Sequence, residues 1–586
     1  MNAVRISTSR RSHRRQLWCV ASAVVLVGYG LIQTHVNADT PPRGGPAQVL
    51  TAADVTSIVA AAAGAIADDG LAVAVVDRKG TILGVYRRSG ATSDAPDVAV
   101  SLARTTAFFS NDQAPLSSRT VRAISGIHFP AGVRNTPSGA LYGVENINRG
   151  CDLDPQGLPL GIDRPRAIQT GPLPPVCNAA NTSGCARGGA IFGEDGKPVG
   201  SLGITTGKRN ILDTDNGNDA AVNPGGIPLY RGGHLIGGVG VAGVPFDRAE
   251  YAALIGSQAA GITTALAFPA PIPTPGAVYI EGIRLPFYSS CSTNIACIQA
   301  AARTAPAGSS KGVFEPARFV APPINGGNAP EGYLIGPRAS LVAGGLSVDD
   351  VTRIVNQSIA QANAIRAQVR LPIGQTPTFV IAVTDEGGRI LAEYRMTDAL
   401  FDAVDVVPSK ARNAYYFSTP EGYQVLKASV TRSPEGYSWT PDPPGGAWAV
   451  TSRTLGFGGQ PLFPSGIDLE PSMRMTGPWF DLFVYDSTHP CTEGTGPHAG
   501  RPAGFSYTNG ITWFPGSAPL YKAGRLVGGL GVSGDGIEEN DFVTSAGVTG
   551  FDAPAELRVD NSSIRTRTGA TVRLPYWKFP RNPTIK

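Results

Sequence analysis

The chain has 586 residues, too many for a single hydrophobic core, so at least two domains are expected. Charged residues make up 16%, against about 25% in an ordinary domain, while 73 glycines and 49 prolines are about twice the usual share. A net charge of +4, with no basic stripe beyond the N-terminus, excludes an electrostatic nucleic-acid binder, and the glycines lack the period of a collagen.

Residues 1–38 read as a signal peptide: an Arg-rich, acid-free start, the apolar run Val20–Ile32, and a small-x-small step ("VNA") before Asp39. The run is too short and too interrupted by glycine for a membrane span. An exported protein, periplasmic or extracellular, is expected. Cys19 aside, six cysteines remain, an even number that favours disulfides in that setting. Cys177 with Cys185, and Cys291 with Cys297, are near enough in sequence to close small loops, whereas no zinc or haem-attachment spacing occurs.

Over nearly the whole mature chain the elements come twice. "LTAADVTSIVAAAAGAIA" (50–67) returns as "LSVDDVTRIVNQSIAQAN" (346–363), each a helix opened by Thr or Ser with Asp three residues on, a capping box. "LAVAVVDRKGTILGVYRRSGA" (71–91) returns as "FVIAVTDEGGRILAEYRMTDA" (379–399), a strand, Gly turn and strand. "DVAVSLARTTAFFS" (97–110) and "DVVPSKARNAYYFS" (405–418) form a second helix. "SSRTVRAISGIHFPAG" (117–132) aligns without a gap to "TSRTLGFGGQPLFPSG" (451–466) and places His128 opposite Leu462. A glycine-rich hairpin follows in "PLYRGGHLIGGVGVAG" (228–243) and "PLYKAGRLVGGLGVSG" (519–534), then a helix with Glu250 or Asp541 near its start, then "IRLPFY" (283–288) and "VRLPYW" (572–577). Antiparallel hairpins with interleaved helices specify an α+β class. The expected domains are 46–290, with a loop-rich insert at about 111–225, and 346–586, with an insert at about 419–516. The Pro/Gly-rich stretch 291–345 reads as a loose connector.

These residues resemble a known family. "VVDRKGTILGVYRRSGA", "VTDEGGRILAEYRMTDA", "SKARNA", "GGIPLYRGGHLIGGVGVAG" and "GVSGDGIEENDF" are similar to the GlcG/HbpS-like haem-binding domain, which is also the C-terminal module of PduO proteins. The resemblance implies two profilin-like domains, each a central antiparallel sheet with flanking helices, often oligomeric, that bind haem or another tetrapyrrole. The family's Lys in "KAxxA" is Lys410 in the second copy but Leu102 in the first.

For such a ligand the candidate residues are His128, Arg119 and Tyr142 in the first copy and Lys410 and Arg453 in the second. Imidazole is the commonest protein ligand to haem iron, and guanidinium pairs carboxylates such as propionates. Against this, His128 reads more readily as a loop hydrogen-bonder, since the other copy has Leu462 in its place, and an arginine that recurs in both copies reads as structural. His234 sits in a turn, His489 and His498 flank Cys491 without a metal-site spacing, and Asp213, Asp215 and Asp219 fail the calcium-loop pattern. The stripes "GGVGVAG" and "GGLGVSG" lie within a hairpin strand, so they fit close approach of a chain, a helix or a flat ligand better than a dinucleotide loop. No nucleophile elbow or phosphate loop is present. The alternative to ligand binding is a structural or interaction protein, a tandem pseudo-dimer without cofactor.

Overall fold

The computed structural model describes residues 49–92, 95–125, 191–192, 198–199, 224–259, 263–264, 279–280, 283–284, 287, 311–320, 330–368, 371, 374–401, 403–460, 463, 475–483 and 510–584. The signal-peptide reading, all the disulfide candidates, His128 and Tyr142 lie outside them.

The first half begins with α1 (Ala52–Ala65), whose capping box is formed by Thr51 and Asp54. The hairpin β1 (Ala72–Asp77) and β2 (Ile82–Arg87) is followed by α2 (Ala95–Phe109) and α3 (Ser118–Ser125). A second hairpin, β3 (Gly226–Arg231) and β4 (His234–Ala242), leads into α4 (Phe246–Ser257), and β5 (Thr263–Thr264) closes the sheet. The order is β2-β1-β4-β3-β5, antiparallel throughout. The side chains of β1 alternate between two cores, as the period of two in a strand requires. Val73 and Val75 pack with α1 and α4, while Ala72 and Ala74 pack against α2.

The second half repeats this plan. A strand from the connector, β6 (Gly332–Ile335), is followed by α5 (Val348–Ala364), capped by Ser347 and Asp350, and by the hairpin β7 (Phe379–Thr384) and β8 (Ile390–Arg395). After α6 (Ala403–Tyr416), α7 (Pro420–Arg432), β9 (Ser438–Thr440) and α8 (Ser452–Gly458) come β10 (Ser517–Lys522), β11 (Arg525–Gly534) and α9 (Ile537–Gly547). The order β6-β8-β7-β11-β10 is again antiparallel. Four strands of each sheet therefore stand in the same order, β2-β1-β4-β3 against β8-β7-β11-β10. The connector is not a free tether, because residues 332–335 are a strand of the second sheet.

The second insert and the C-terminal segment build a core of their own. The short strands β9, β12 (Ser563–Arg565) and β13 (Thr571–Arg573) form a separate sheet. Over it pack Trp439, Trp448, Phe463, Trp479 and Trp513, with Trp439 and Trp479 at 5.6 Å between ring centroids. In the first insert, Ile191–Phe192 pairs with Pro198–Val199 as an isolated two-stranded ladder outside the main sheet.

Candidate functional site

The glycine stripe explains how α2 and α6 sit. A Cβ on Gly238 or Gly240 would meet Ala103 O at 2.2 Å or Ala99 O at 2.1 Å, and one on Gly529 or Gly531 would meet Ala411 O at 1.9 Å or Val407 O at 2.1 Å. Of the three occupants left open by the sequence, the structure selects the helix. Its backbone lies directly on the strand, so this sheet face has no room for a planar ligand.

Close packing of α6 carries Lys410 into the protein. Its Nζ is fully buried and donates to Pro515 O at 2.7 Å and Val532 O at 2.8 Å, 4.3 Å from the centre of the Phe514 ring. Burial pushes the Lys410 amine well below its usual value. Ser409, the preceding residue, and Asn413, one turn further on, hold Gly510 O and Thr512, so the polar edge of α6 clasps the segment that returns from the insert.

Arg453 lies inside a capping box made by Thr451 and Thr454, and its Nε donates to Asp541 Oδ2 at 2.6 Å. Asp541 is completely buried, with Arg453 11% exposed. Burial pushes the Asp541 carboxyl up to about 6 against the downward pull of Arg453. Its Oδ2 also accepts from Lys578 N at 3.0 Å, whereas Oδ1 has no hydrogen-bond partner. In the first half, Arg119 donates from Nε and Nη2 to Glu250 at 2.6 and 2.9 Å, with Glu250 1% exposed. Both arginines thus tie the start of an insert helix to the helix after the final hairpin, through a carboxylate. The aligned positions Leu102 and Lys410 occupy equivalent places. A Cβ on Gly225 would lie 3.5 Å from Leu102 Cδ1, and one on Gly516 would lie 3.0 Å from Lys410 Nζ.

Of the five sequence-derived candidates, the structure brings Lys410 and Arg453 together around Asp541 and puts Arg119 in the matching place of the other half. His128 and Tyr142 lie outside the described residues, as do His489, His498 and the Asp213–Asp219 run. His234, which the sequence placed in a turn, is the exposed first residue of β4 and pairs with Asp112 at 2.8 Å. Sequence reasoning missed Arg104 and Arg412, buried at aligned positions, whose Nε atoms donate to Gly80 O and Gly388 O at 2.8 Å. The recurrence of Arg in "LARTTA" and "KARNAY" was the available signal. Among the described residues no group of three or more His, Cys, Asp or Glu could hold a metal, and no helix is long and apolar enough to cross a membrane.

Lys410→Leu, which imports the first-half residue, is expected to lower stability by about 2 kcal/mol in urea unfolding. The reason is that Pro515 O and Val532 O lose a buried donor. A variant as stable as the parent would show that these bonds contribute nothing.

Two α+β halves with antiparallel sheets of shared strand order, each stitched by an Arg–carboxylate pair, define the class of protein. Residues 346–549, within the second half, match the family model described as haem degrading protein HbpS-like. The chain is also similar to two solved structures. One is the crystal structure of a PduOC:heme complex, at 16% identity over 36% of this chain and 97% of that chain, TM-score 0.19. The other is Klebsiella pneumoniae protein ORFY, at 15% identity over 37% of this chain and 96% of that chain, TM-score 0.19. No curated protein matches the chain.

Proposed function

We propose that this chain is an exported haem- or tetrapyrrole-binding protein built from two profilin-like domains. The observation that carries this reading is the HbpS-like match over 346–549. The described candidates do not themselves fit a porphyrin. Lys410 is enclosed with its donors on carbonyls, and the Arg119 and Arg453 guanidiniums are committed to Glu250 and Asp541. A propionate would have to displace a buried carboxylate from either arginine, which leaves an uncompensated charge inside the protein. The nitrogen ligand this reading calls on is therefore His128, with Tyr142 fourteen residues further along the chain.

Titrating hemin into the purified apoprotein is expected to give a saturable Soret shift at micromolar concentration, and His128→Ala to weaken binding or alter the spectrum. Leu462→Ala, at the aligned position, should change stability alone. No shift with the parent protein rejects the reading. A specific observation favours a second one, a non-catalytic structural or interaction protein without cofactor: in both halves the recurring arginine is consumed by an internal ion pair. That reading expects the same oligomeric state with and without hemin, measured by light scattering.

A further inference from the structure

The connector between the halves touches the same strand edge in each of them. In the first half β2 is the outermost strand of its side, and Val320 N donates to Val85 O at 2.8 Å while Phe319 bridges Tyr86 in antiparallel register. The rings of Phe314 and Phe319 lie 5.5 and 6.3 Å from that of Tyr86, and Gly312 N donates to Gly64 O at 3.0 Å. In the second half β6 lies on β8, from Gly332 opposite Arg395 to Ile335 opposite Glu393, and Arg338 N continues the contact to Leu391 O at 3.0 Å. The strands β2 and β8 are the aligned second strands of the two repeated hairpins. One segment thus serves two equivalent edges.

We propose that this connector is an edge cap, which occupies on each half the strand edge that would otherwise pair with a second copy of this chain. Uncapped, β8 would present six buried residues, "ILAEYR", as a long pairing template. The cap replaces it with a strand of four residues, flanked by Pro330 and Pro337 and by the charges of Glu331 and Arg338. Short length, proline and charge are the features that resist strand addition. Both halves also hold the cap in place. Glu331 Oε1 accepts from Lys79 Nζ at 2.9 Å, in the β1–β2 turn, and from Asp398 N at 3.1 Å. Neither contact depends on a ligand, so the inference stands apart from the haem reading.

The test is the full chain carrying Leu334→Asp and Ile335→Asp, since both side chains are buried where β6 meets the second core. The expected result is a concentration-dependent rise of the light-scattering mass to at least twice the parent's, with far-UV circular dichroism retained. A folded variant whose mass follows the parent's over the same range overturns the proposal. Should the variant unfold, hydrogen exchange on the unmodified chain decides. The amides of Val320 and Arg338 are expected to exchange at least about 100-fold more slowly than unstructured ones. Unprotected amides there refute the cap.

Discussion

Arg453→Ala is expected to cost the second half about 3–5 kcal/mol at neutral pH, the range for removing one partner of a buried ion pair. Asp541 would keep its buried carboxylate without the guanidinium, and only Lys578 N would remain bonded to Oδ2. The sign with pH follows from the carboxyl's folded value of about 6 against the ordinary 3.8. A raised folded pKa means that the protonated form is favoured by the fold. The associated stability is fully present below about pH 4 and is lost as pH rises through 6. At 1.36 kcal/mol per pKa unit the rise is worth about 3 kcal/mol. Two consequences are measurable by urea unfolding at a series of pH values. The Arg453→Ala penalty should shrink as pH falls toward 5, because a neutral Asp541 no longer needs its cation. Asp541→Asn should flatten the parent's pH dependence between 4 and 6. A penalty that stays the same from pH 5 to 8 would mean that Asp541 does not titrate with the pair.

Gly529→Val should be comparably severe, about 3 kcal/mol or more, at the upper end for overpacking. The first atom of the new side chain would fall 1.9 Å from Ala411 O, a backbone atom in the middle of α6 that no rotamer change can move. The helix must lift from β11, which also pulls Lys410 away from Pro515 O and Val532 O. Loss of cooperative unfolding in the second half is the expected readout. Gly336→Ala is the control: nothing lies within 4 Å of its Cβ position, so its effect should stay within about 0.5 kcal/mol. If Gly529→Val unfolds with the parent's midpoint, the close helix–strand approach is not what the glycines serve.

Much of this was legible in the amino-acid order because the repeat supplied an internal control. The capping boxes at Thr51 and Ser347, the four hairpins and the α+β class follow from local chemistry, since caps, turn glycines and strand periodicity act over a few residues. The structural duty of Arg119 and Arg453 was also readable from their recurrence, down to Glu250 and Asp541 as landmarks of the following helix. What the chain order could not settle were choices made over long separations. Arg119 meets Glu250 across 131 positions and Arg453 meets Asp541 across 88, and the sequence marks neither acid as the partner of either base. The glycine stripe allowed three occupants, and only the packed helix removed two of them. A lysine in a helix reads as exposed until tertiary packing encloses it, as it encloses Lys410. The Pro/Gly-rich connector looked loose because composition reports local stiffness, whereas an edge strand is held by backbone hydrogen bonds to a neighbour far away in sequence. Propensity is local and burial is not, and that difference separates what the sequence by itself determined here from what the tertiary structure decided.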